Sequence, residues 1–209
     1  MITPAPEPRT SRADIAAAAS CARSVGEASS ASASAGAAMV NDVSALTFDP
    51  RSAEVAAAAG CPIVLMHHQG PPETMQHNPR YDRPVLIEIY DWLEARIAAA
   101  VAAGIARERI VVDPGFGFGK NVQHNLQLMN GLAMLHGLGC PIMLGASRKR
   151  TIGALTNEAP PDQRLGGSIA LALKAANQGV QLLRVHDVPE SLQALRVWRG
   201  LRDAALTPP

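Results

Sequence analysis

Aromatic residues, long apolar runs and unbalanced charge are all scarce in this 209-residue chain. Phe, Trp and Tyr together make up 3%, too few for the stacking platforms that bind single-stranded nucleic acid. The 19 basic residues are matched by 18 acidic ones, which leaves no basic field for nucleic acid or a membrane surface. The longest nearly apolar run, residues 97–103, is too short to cross a bilayer. We therefore expect no nucleic-acid partner and no membrane partner.

Cysteine is also scarce, and its placement bears on the compartment. Cys21, Cys61 and Cys140 stand far apart, without a CxxC pair. An odd, scattered set is typical of reduced thiols. The start of the chain lacks the charged-then-apolar pattern of a secretory signal. These features predict a cytoplasmic protein.

The first 35 residues have little from which a core could be built. Of the 28 residues between positions 11 and 38, 19 are Ala or Ser. Such a composition cannot bury enough apolar surface to offset the entropy lost on ordering. We predict a low-complexity, disordered segment over residues 1–35 and one folded domain over residues 36–209.

Short apolar runs appear from about residue 36 onward. They do not alternate with polar residues, which is typical of strands buried on both faces of a parallel sheet. A buried helical turn is the competing interpretation of any single run. The runs are residues 38–40, 62–66, 110–113, 141–145 and 180–185.

Helical segments separate these runs. Asp49 would cap a first helix that ends at Gly60. Two helices with apolar stripes would end at Gly104 and Gly179, and Pro189 would begin the last helix. Alternating β and α units predict a parallel sheet. The apolar stripes are Leu86, Ile89, Leu93, Ile97 and Val101, then Leu165, Ile169, Leu173 and Ala176, then Leu192, Leu195 and Trp198.

Polar residues follow every predicted strand. The carboxyl ends of parallel strands form the active face of a (β/α) barrel or of an open α/β sheet. The polar residues that follow the predicted strands are Asn41, Asp42, His67, His68, Asp113, Ser147, Arg148, Lys149, Arg184 and His186.

The segment 113–120, Asp-Pro-Gly-Phe-Gly-Phe-Gly-Lys, is the strongest local signal. Its alternating glycines let the backbone turn tightly and approach a ligand. The spacing fits neither a Walker loop nor a dinucleotide fingerprint. A flexible loop with a capping Asp is the alternative interpretation.

His67-His68 raises the question of a metal site, whereas Arg184 with His186 suggests an anion site. Adjacent His67 and His68 would face opposite sides of a strand, and no third ligand stands at zinc spacing. Arg184 and His186 are two apart, so both would face one side and could bind a diphosphate. A salt bridge with Asp187 is the alternative for that pair.

Three motifs together resemble the dihydropteroate synthase family in order and strand placement: residues 113–120, Ser-Arg-Lys at 147–149 and Arg-Val-His-Asp-Val at 184–188. Asn41-Asp42 and residues 65–70 match as well, so the resemblance covers about residues 36–201. The family has eight βα units, and the last five are recognisable here. The resemblance therefore implies an α/β fold, an incomplete TIM (β/α)8-type barrel with about five of the eight units.

The resemblance also implies an activity and its site. It implies condensation of a 6-hydroxymethyl-7,8-dihydropterin diphosphate with para-aminobenzoate, with Mg²⁺, in a homodimer that is a sulfonamide target. Asn41 as a turn residue and Met66 as simple core remain alternatives. The implied site comprises Asn41, Met66, Asp113, Gly145 and Lys149 for the pterin, Arg184 and His186 for the diphosphate, Phe118, Lys120, Ser147 and Arg148 for para-aminobenzoate, and Lys149, Arg184 and His186 for catalysis.

The strings that follow the family's first three strands are not found in this sequence. They include the metal-ordering loop, so no metal ligand is expected from this chain, and turnover is expected to be slow. An inactive or weakly pterin-binding fragment is one alternative. A pterin-dependent methyltransferase domain is another, although residues 147–149 favour the synthase because a methyltransferase holds no para-aminobenzoate.

Overall fold

The computed structural model describes residues 38–206. The disordered segment predicted for residues 1–35 lies outside the described residues, as does its boundary with the folded domain.

Five short parallel strands carry the fold. Strands β1, β2 and β3 form one sheet in chain order, and β4 pairs with β5. A parallel bridge between Val112 and Ile142 joins the two sheets, so all five strands follow one another in sequence order. Every predicted strand is present, although β1 begins later and β4 and β5 are shorter than predicted. The strands are β1 (Val40–Asp42), β2 (Ile63–Met66), β3 (Ile110–Asp113), β4 (Met143–Leu144) and β5 (Leu182–Leu183).

Helices alternate with the strands, as the sequence predicts. The α-helices are α1 (Ser52–Ala59), α2 (Val85–Ala102), α3 (Val122–Asn130), α4 (Arg150–Leu155), α5 (Leu165–Asn177) and α6 (Val188–Leu206). Short 3-10 helices span Arg107–Arg109, Leu132–Leu138 and Pro161–Gln163.

Both faces of the sheet are apolar. Ile63 and Leu65 belong to the main core, which includes the buried stripe of α2, whereas Val64, Val111 and Met143 form a second cluster on the opposite face. Burial on both faces explains why the strand runs do not alternate with polar residues. None of the helices within residues 38–206 is long and apolar enough to cross a membrane.

The buried face of α2 differs slightly from the prediction. Ile89, Leu93 and Ile97 are buried as predicted, but Val101 is 43% exposed. Val85 and Ala100 complete the stripe instead.

The buried face of α5 was predicted wrongly. Its buried residues are Ser168, Ala172 and Ala175, whereas Leu165 at the start of the predicted stripe is 37% exposed. Small side chains let this helix approach its neighbours closely, and the larger residues lie at the margin of the contact. Hydrophobicity alone therefore indicated the wrong face.

The start of α1 also differs. The helix begins at Ser52, and the Asp49 carboxylate accepts a hydrogen bond from the Arg51 N–H at 2.8 Å. Asp49 thus stabilises the turn before the helix rather than the helix itself. The predicted end is confirmed, because Gly60 caps the helix with a φ of 71°.

Candidate active site

An open cleft of about 810 Å³ lies at the carboxyl ends of the strands. Strand-end residues of four strands contribute to it, so the parallel array itself brings together side chains distant in sequence. Its lining consists of Asn41, Val43, Phe48, Met66, His68, Pro72, Met75, Phe118, Gly145, Ser147, Arg148, Lys149, Pro161, Arg184, Val185 and His186.

Most residues predicted for the site line this cleft; Asp113 and Lys120 are the two that do not. Those in the lining are Asn41, Met66, Phe118, Gly145, Ser147, Arg148, Lys149, Arg184 and His186.

Asp113 lies beneath the cleft. It is the register partner of Met66, and register partners point to the same face of a sheet. The side chain is 2% exposed and accepts a hydrogen bond from the Gly115 N–H at 2.7 Å. Burial raises the pKa of this carboxyl, while the Gly115 N–H and then the charges of Arg184 and Lys149 act in the opposite direction. The cationic neighbours thus favour a carboxylate in a dry position.

Polar atoms without partners concentrate around the cleft. Within residues 38–206, four buried side-chain polar atoms have no hydrogen-bond partner, and three belong to cleft residues: Asn41 Oδ1, His68 Nε2 and Arg184 Nε. Buried polar groups are normally paired. One donor and two acceptors here are therefore available to a polar ligand.

Gly145 makes room for the Arg184 guanidinium. A Cβ added at Gly145 would lie 2.8 Å from Nη2 of Arg184, closer than a side chain tolerates. The Arg184 N–H donates to the Leu144 carbonyl at 2.9 Å. The end of β5 therefore holds its arginine across the end of β4.

Lys149 lies over an aromatic ring. Its Nζ is 4.0 Å from the centroid of the Phe118 ring, a cation–π arrangement. Burial, and then the charge of Arg184, lowers the pKa of Lys149 to about 8, with Asp113 acting in the opposite direction. This ammonium is consequently poised to lose its proton in mildly alkaline solution.

Ser147 and His186 connect the ends of β4 and β5. Ser147 Oγ lies 3.0 Å from His186 Nδ1 and accepts the His186 backbone N–H at 3.3 Å. Arg184 and His186 both line the cleft, which agrees with the prediction that residues two apart face one side.

Arg148 lines the cleft and is paired with a neighbouring carboxylate. Its guanidinium pairs with Asp187, with Nε 3.1 Å from Oδ2, so Asp187 neutralises Arg148 rather than Arg184 or His186. The Arg148 N–H donates to Ser168 Oγ at 2.9 Å. Helix α4 begins only at Arg150. Both the backbone N–H and the guanidinium of Arg148 are therefore bound within the protein.

Lys120 is the clearest correction. We predicted it to lie beside para-aminobenzoate, but its side chain is 3% exposed and does not line the cleft. Its Nζ lies 2.9 Å from His67 Nδ1 and donates to the carbonyls of Gly115 and Phe118, both at 3.0 Å. The predicted position of Lys120 in the cleft is wrong because its side chain folds back beneath its own loop.

The glycines of segment 113–120, the glycine loop, are required by close backbone contact. A Cβ at Gly115 would lie 1.8 Å from the His67 carbonyl oxygen, and one at Gly119 would lie 2.7 Å from Gln69 Cβ. Both residues have positive φ, which favours glycine. The loop is therefore packed against the residues after β2 rather than being a flexible loop, although Asp113 does cap its first turn.

The adjacent histidines diverge as the sequence predicts. His67 contacts Lys120, whereas His68 lines the cleft and its Nδ1 lies 3.0 Å from the Gly70 carbonyl. Within the described part of the chain, no group of three His, Cys, Asp or Glu residues could hold a metal ion.

Several cleft residues were not foreseen from the sequence. They are Val43, Phe48, Pro72, Met75, Pro161 and Val185. Most are isolated apolar residues in loops, a pattern that carries no signal. His68 was visible as part of a pair, but only the structure shows which histidine faces the cleft.

A parallel β/α array with a cationic cleft at its strand ends is the architecture of a barrel-type enzyme domain that binds a polar, charged small molecule. The profile of the pterin binding enzyme family matches residues 24–186. The chain belongs to this family. The match begins earlier than residue 36, where the resemblance had been placed from motifs alone.

Three relatives extend this finding. The dihydropteroate synthase of Escherichia coli (strain K12) is 47% identical over 166 residues, which cover 79% of this chain and 58% of the relative. A Yersinia pestis dihydropteroate synthase in a sulfonamide drug complex has a TM-score of 0.83 at 44% identity, covering 87% and 65% of the two chains. The Xanthomonas albilineans synthase in complex with 7,8-dihydropteroate has a TM-score of 0.79 at 43% identity, covering 86% and 65%.

The chain thus spans less than two thirds of the length of these relatives. Dihydropteroate synthases are TIM-barrel proteins, and the five parallel βα units correspond to part of that barrel. The predicted family and the predicted incomplete barrel are confirmed.

Proposed function

We propose that this chain carries the ligand-binding cleft of a dihydropteroate synthase-type transferase. The reaction joins the pterin methylene of a 6-hydroxymethyl-7,8-dihydropterin diphosphate to the nitrogen of para-aminobenzoate and releases diphosphate. The convergence of Asn41, Lys149 and Arg184 on one cleft above the buried Asp113 carries this proposal. The family and its synthase relatives support it.

The pterin ring would lie against Met66 with its polar edges toward Asn41 and Asp113. Its amino group and ring N–H groups are donors that suit the Asp113 carboxylate, and the unpartnered Oδ1 of Asn41 offers another acceptor. Each hydrogen bond to a charged group contributes about 1.5–3 kcal/mol. Lys149 would donate to the acceptor atoms of the ring.

The diphosphate would lie at the ends of β4 and β5. Arg184 offers its guanidinium, including an Nε without a protein partner, and His186 stands two residues further on. As the bond between the methylene carbon and the diphosphate oxygen breaks, both bonding electrons leave with the diphosphate. Fixed donors at this position stabilise the charge that develops.

The acceptor, para-aminobenzoate, would lie beside Phe118 and Ser147, both in the cleft lining. Its amine lone pair attacks the methylene carbon, the new C–N bond forms, and the amine proton passes to solvent. Positioning and charge stabilisation suffice for this chemistry, because the ring electrons stabilise the cationic carbon and no protein nucleophile takes part.

Mg²⁺ belongs to the proposed reaction as a companion of the diphosphate, whose charge it would help to neutralise. The described residues do not supply a protein ligand set for it, so no step above is routed through the ion.

Two further proposals concern the state of the protein. The described cysteines, Cys61 and Cys140, are free thiols, which supports a reducing, cytoplasmic environment. Val197 and Leu201 on α6 are 60% and 70% exposed, which supports self-association through this helix.

An inactive or weakly pterin-binding fragment is the second candidate. Within residues 38–206, β1 and β5 each have a single strand neighbour, so a closed barrel is not formed by this range. We expect the purified chain to produce dihydropteroate far more slowly than a complete synthase. Product formation at the rate of the E. coli relative, measured side by side, would exclude this candidate.

The test of the site is the substitution Asp113→Asn. The amide keeps the shape of the side chain but lacks the negative charge that ring N–H donors require, so we expect at least about a tenfold loss of pterin affinity, or 1.4 kcal/mol. Isothermal titration calorimetry of wild type and variant with 6-hydroxymethylpterin measures it. Asp203→Asn on the exposed end of α6 serves as the matched control.

Unchanged affinity in Asp113→Asn would defeat the assignment of the pterin site. A pterin-dependent methyltransferase is a further alternative. Formation of dihydropteroate from the pterin diphosphate and para-aminobenzoate would exclude it, because that class does not join the two substrates.

A further inference from the structure

The glycine loop is held from below by the side chain that ends it. The Lys120 ammonium makes three hydrogen-bond contacts: the carbonyls of Gly115 and Phe118, which belong to the loop itself, and Nδ1 of His67, which follows β2. Burial lowers the pKa of Lys120 to about 7, with Asp113 acting in the opposite direction, and the three acceptors around its Nζ stabilise the ammonium form that is present below that pH. Lys120 thus joins two segments that are far apart in sequence.

The His67 ring is suited to this contact. An ammonium donates only, so Nδ1 must present its lone pair and the remaining ring proton lies on Nε2. Burial, and then the charge of Lys120, lowers the pKa of His67, which keeps the ring neutral and its Nδ1 free to accept.

Further contacts fix the other side of the loop. Tyr81 Oη donates to the Gly119 carbonyl at 2.9 Å, and the Gly117 N–H donates to Asn125 Oδ1 at 2.8 Å. The missing Cβ atoms of Gly115 and Gly119 permit van der Waals contact with residues 67–69. The loop is therefore bound on several sides, and Lys120 is the buried side chain that joins it to His67.

The loop in turn sets part of the cleft. Phe118 supplies one of the two loop carbonyls that accept a hydrogen bond from Lys120, and its ring centroid lies 4.0 Å from the Lys149 ammonium. Gly117 also lies against Lys149, since a Cβ there would be 3.4 Å from Lys149 Cδ. A displaced loop would therefore move the Phe118 ring, whereas Lys149 follows β4 and is held by a different segment.

We propose that Lys120 is a positioning residue for the acceptor side of the cleft: its buried ammonium fastens the glycine loop to His67 and thereby places Phe118. This inference rests on the proposed function, because it assumes that Phe118 borders the para-aminobenzoate half of the ligand. It assigns Lys120 no contact with either substrate.

The test compares two probes on the full chain. 6-Hydroxymethylpterin reports the pterin half alone, whereas 7,8-dihydropteroate carries the para-aminobenzoate half as well. Calorimetry gives the dissociation constants of both probes. Their ratio measures the gain in affinity that the para-aminobenzoate half contributes. We expect Lys120→Met to reduce this gain about tenfold or more while the affinity for 6-hydroxymethylpterin changes little.

Substitutions at His67 supply the matched controls. His67→Leu removes the acceptor, whereas His67→Asn retains an oxygen near the position of Nδ1. We expect His67→Leu to lose the gain, His67→Asn to keep most of it, and the Lys120→Met, His67→Leu double variant to be no worse than either single variant.

The outcomes separate two failures. A wild-type chain that binds neither probe contradicts the proposed function itself. A wild type that binds both, with the ratio unchanged in Lys120→Met and in His67→Leu, overturns the positioning role. Equal loss of both probes in every variant, or additive losses in the double variant, would also overturn it, because either result indicates a general structural effect.

Discussion

At the scale of single residues, the cleft depends on charges held in partly dry positions. Lys149 lies over Phe118 and beside Arg184, and these surroundings lower its pKa to about 8. Asp113 lies beneath them with a raised pKa. Groups with displaced pKa values that cluster in a cleft are typical of a functional site.

The lowered pKa of Lys149 predicts how ligand binding depends on pH. In the proposed complex the Lys149 ammonium donates to the ring acceptors, and its charge also favours an anionic ligand. The ammonium form is lost as the pH rises through about 8. We expect the affinity for the pterin diphosphate to be nearly constant below pH 7 and to fall by up to about tenfold per pH unit above 8. Calorimetric titrations between pH 6.5 and about 9.5 measure this.

Lys149→Met provides the control for that prediction. The variant should bind more weakly at neutral pH and should lack the alkaline fall. A wild-type affinity that stays constant up to the alkaline limit would show that Lys149 does not meet the anion as an ammonium.

At the scale of elements, the glycine loop illustrates how backbone contact restricts sequence. Gly115 stands at a φ of 66° with its missing Cβ against the His67 carbonyl. Gly166 near the start of α5 has nothing within 4 Å of the corresponding position. Substitution by alanine is therefore expected to have opposite effects on stability at these two glycines.

We expect Gly115→Ala to destabilise the fold by about 1–3 kcal/mol or more, because the new methyl group displaces either the loop or the end of β2 and adopts an unfavourable φ. Gly166→Ala should be neutral or stabilise by about 0.5–1 kcal/mol, because alanine is the better helix former. Chemical denaturation of both variants gives the comparison. Similar stabilities would show that the loop is not tightly fitted against His67.

At the scale of the whole molecule, exposed apolar surface and incomplete pairing of strands govern behaviour in solution. The edge strands of the described array, β1 and β5, have unpaired backbone on one side within residues 38–206. Helix α6 adds large exposed side chains. Such features favour association.

We expect the purified chain to self-associate at micromolar concentration. Multi-angle light scattering measures the mass, and the double substitution Val197→Lys, Leu201→Lys on α6 should shift the chain toward the monomer. A monodisperse wild-type monomer would contradict the proposed homodimer. Self-association that persists unchanged in the double variant would instead point to the strand edges.

Much of the fold and the position of the cleft could be predicted from short segments of the sequence. The five apolar runs predicted five parallel strands because strands buried on both faces need apolar residues at every position. The order of the motifs predicted the family, and strand-end polarity predicted the cleft. These properties are carried by short stretches of chain, and for that reason no tertiary information was needed.

Only the tertiary structure decided which side chains line the cleft. Lys120 and Phe118 are two positions apart, yet one is buried against His67 and the other lines the cleft. Arg148 is bound by Asp187, and α5 buries alanines rather than leucines. Loop conformation and helix rotation depend on contacts between segments distant in sequence, and such contacts leave no periodic pattern in the sequence itself.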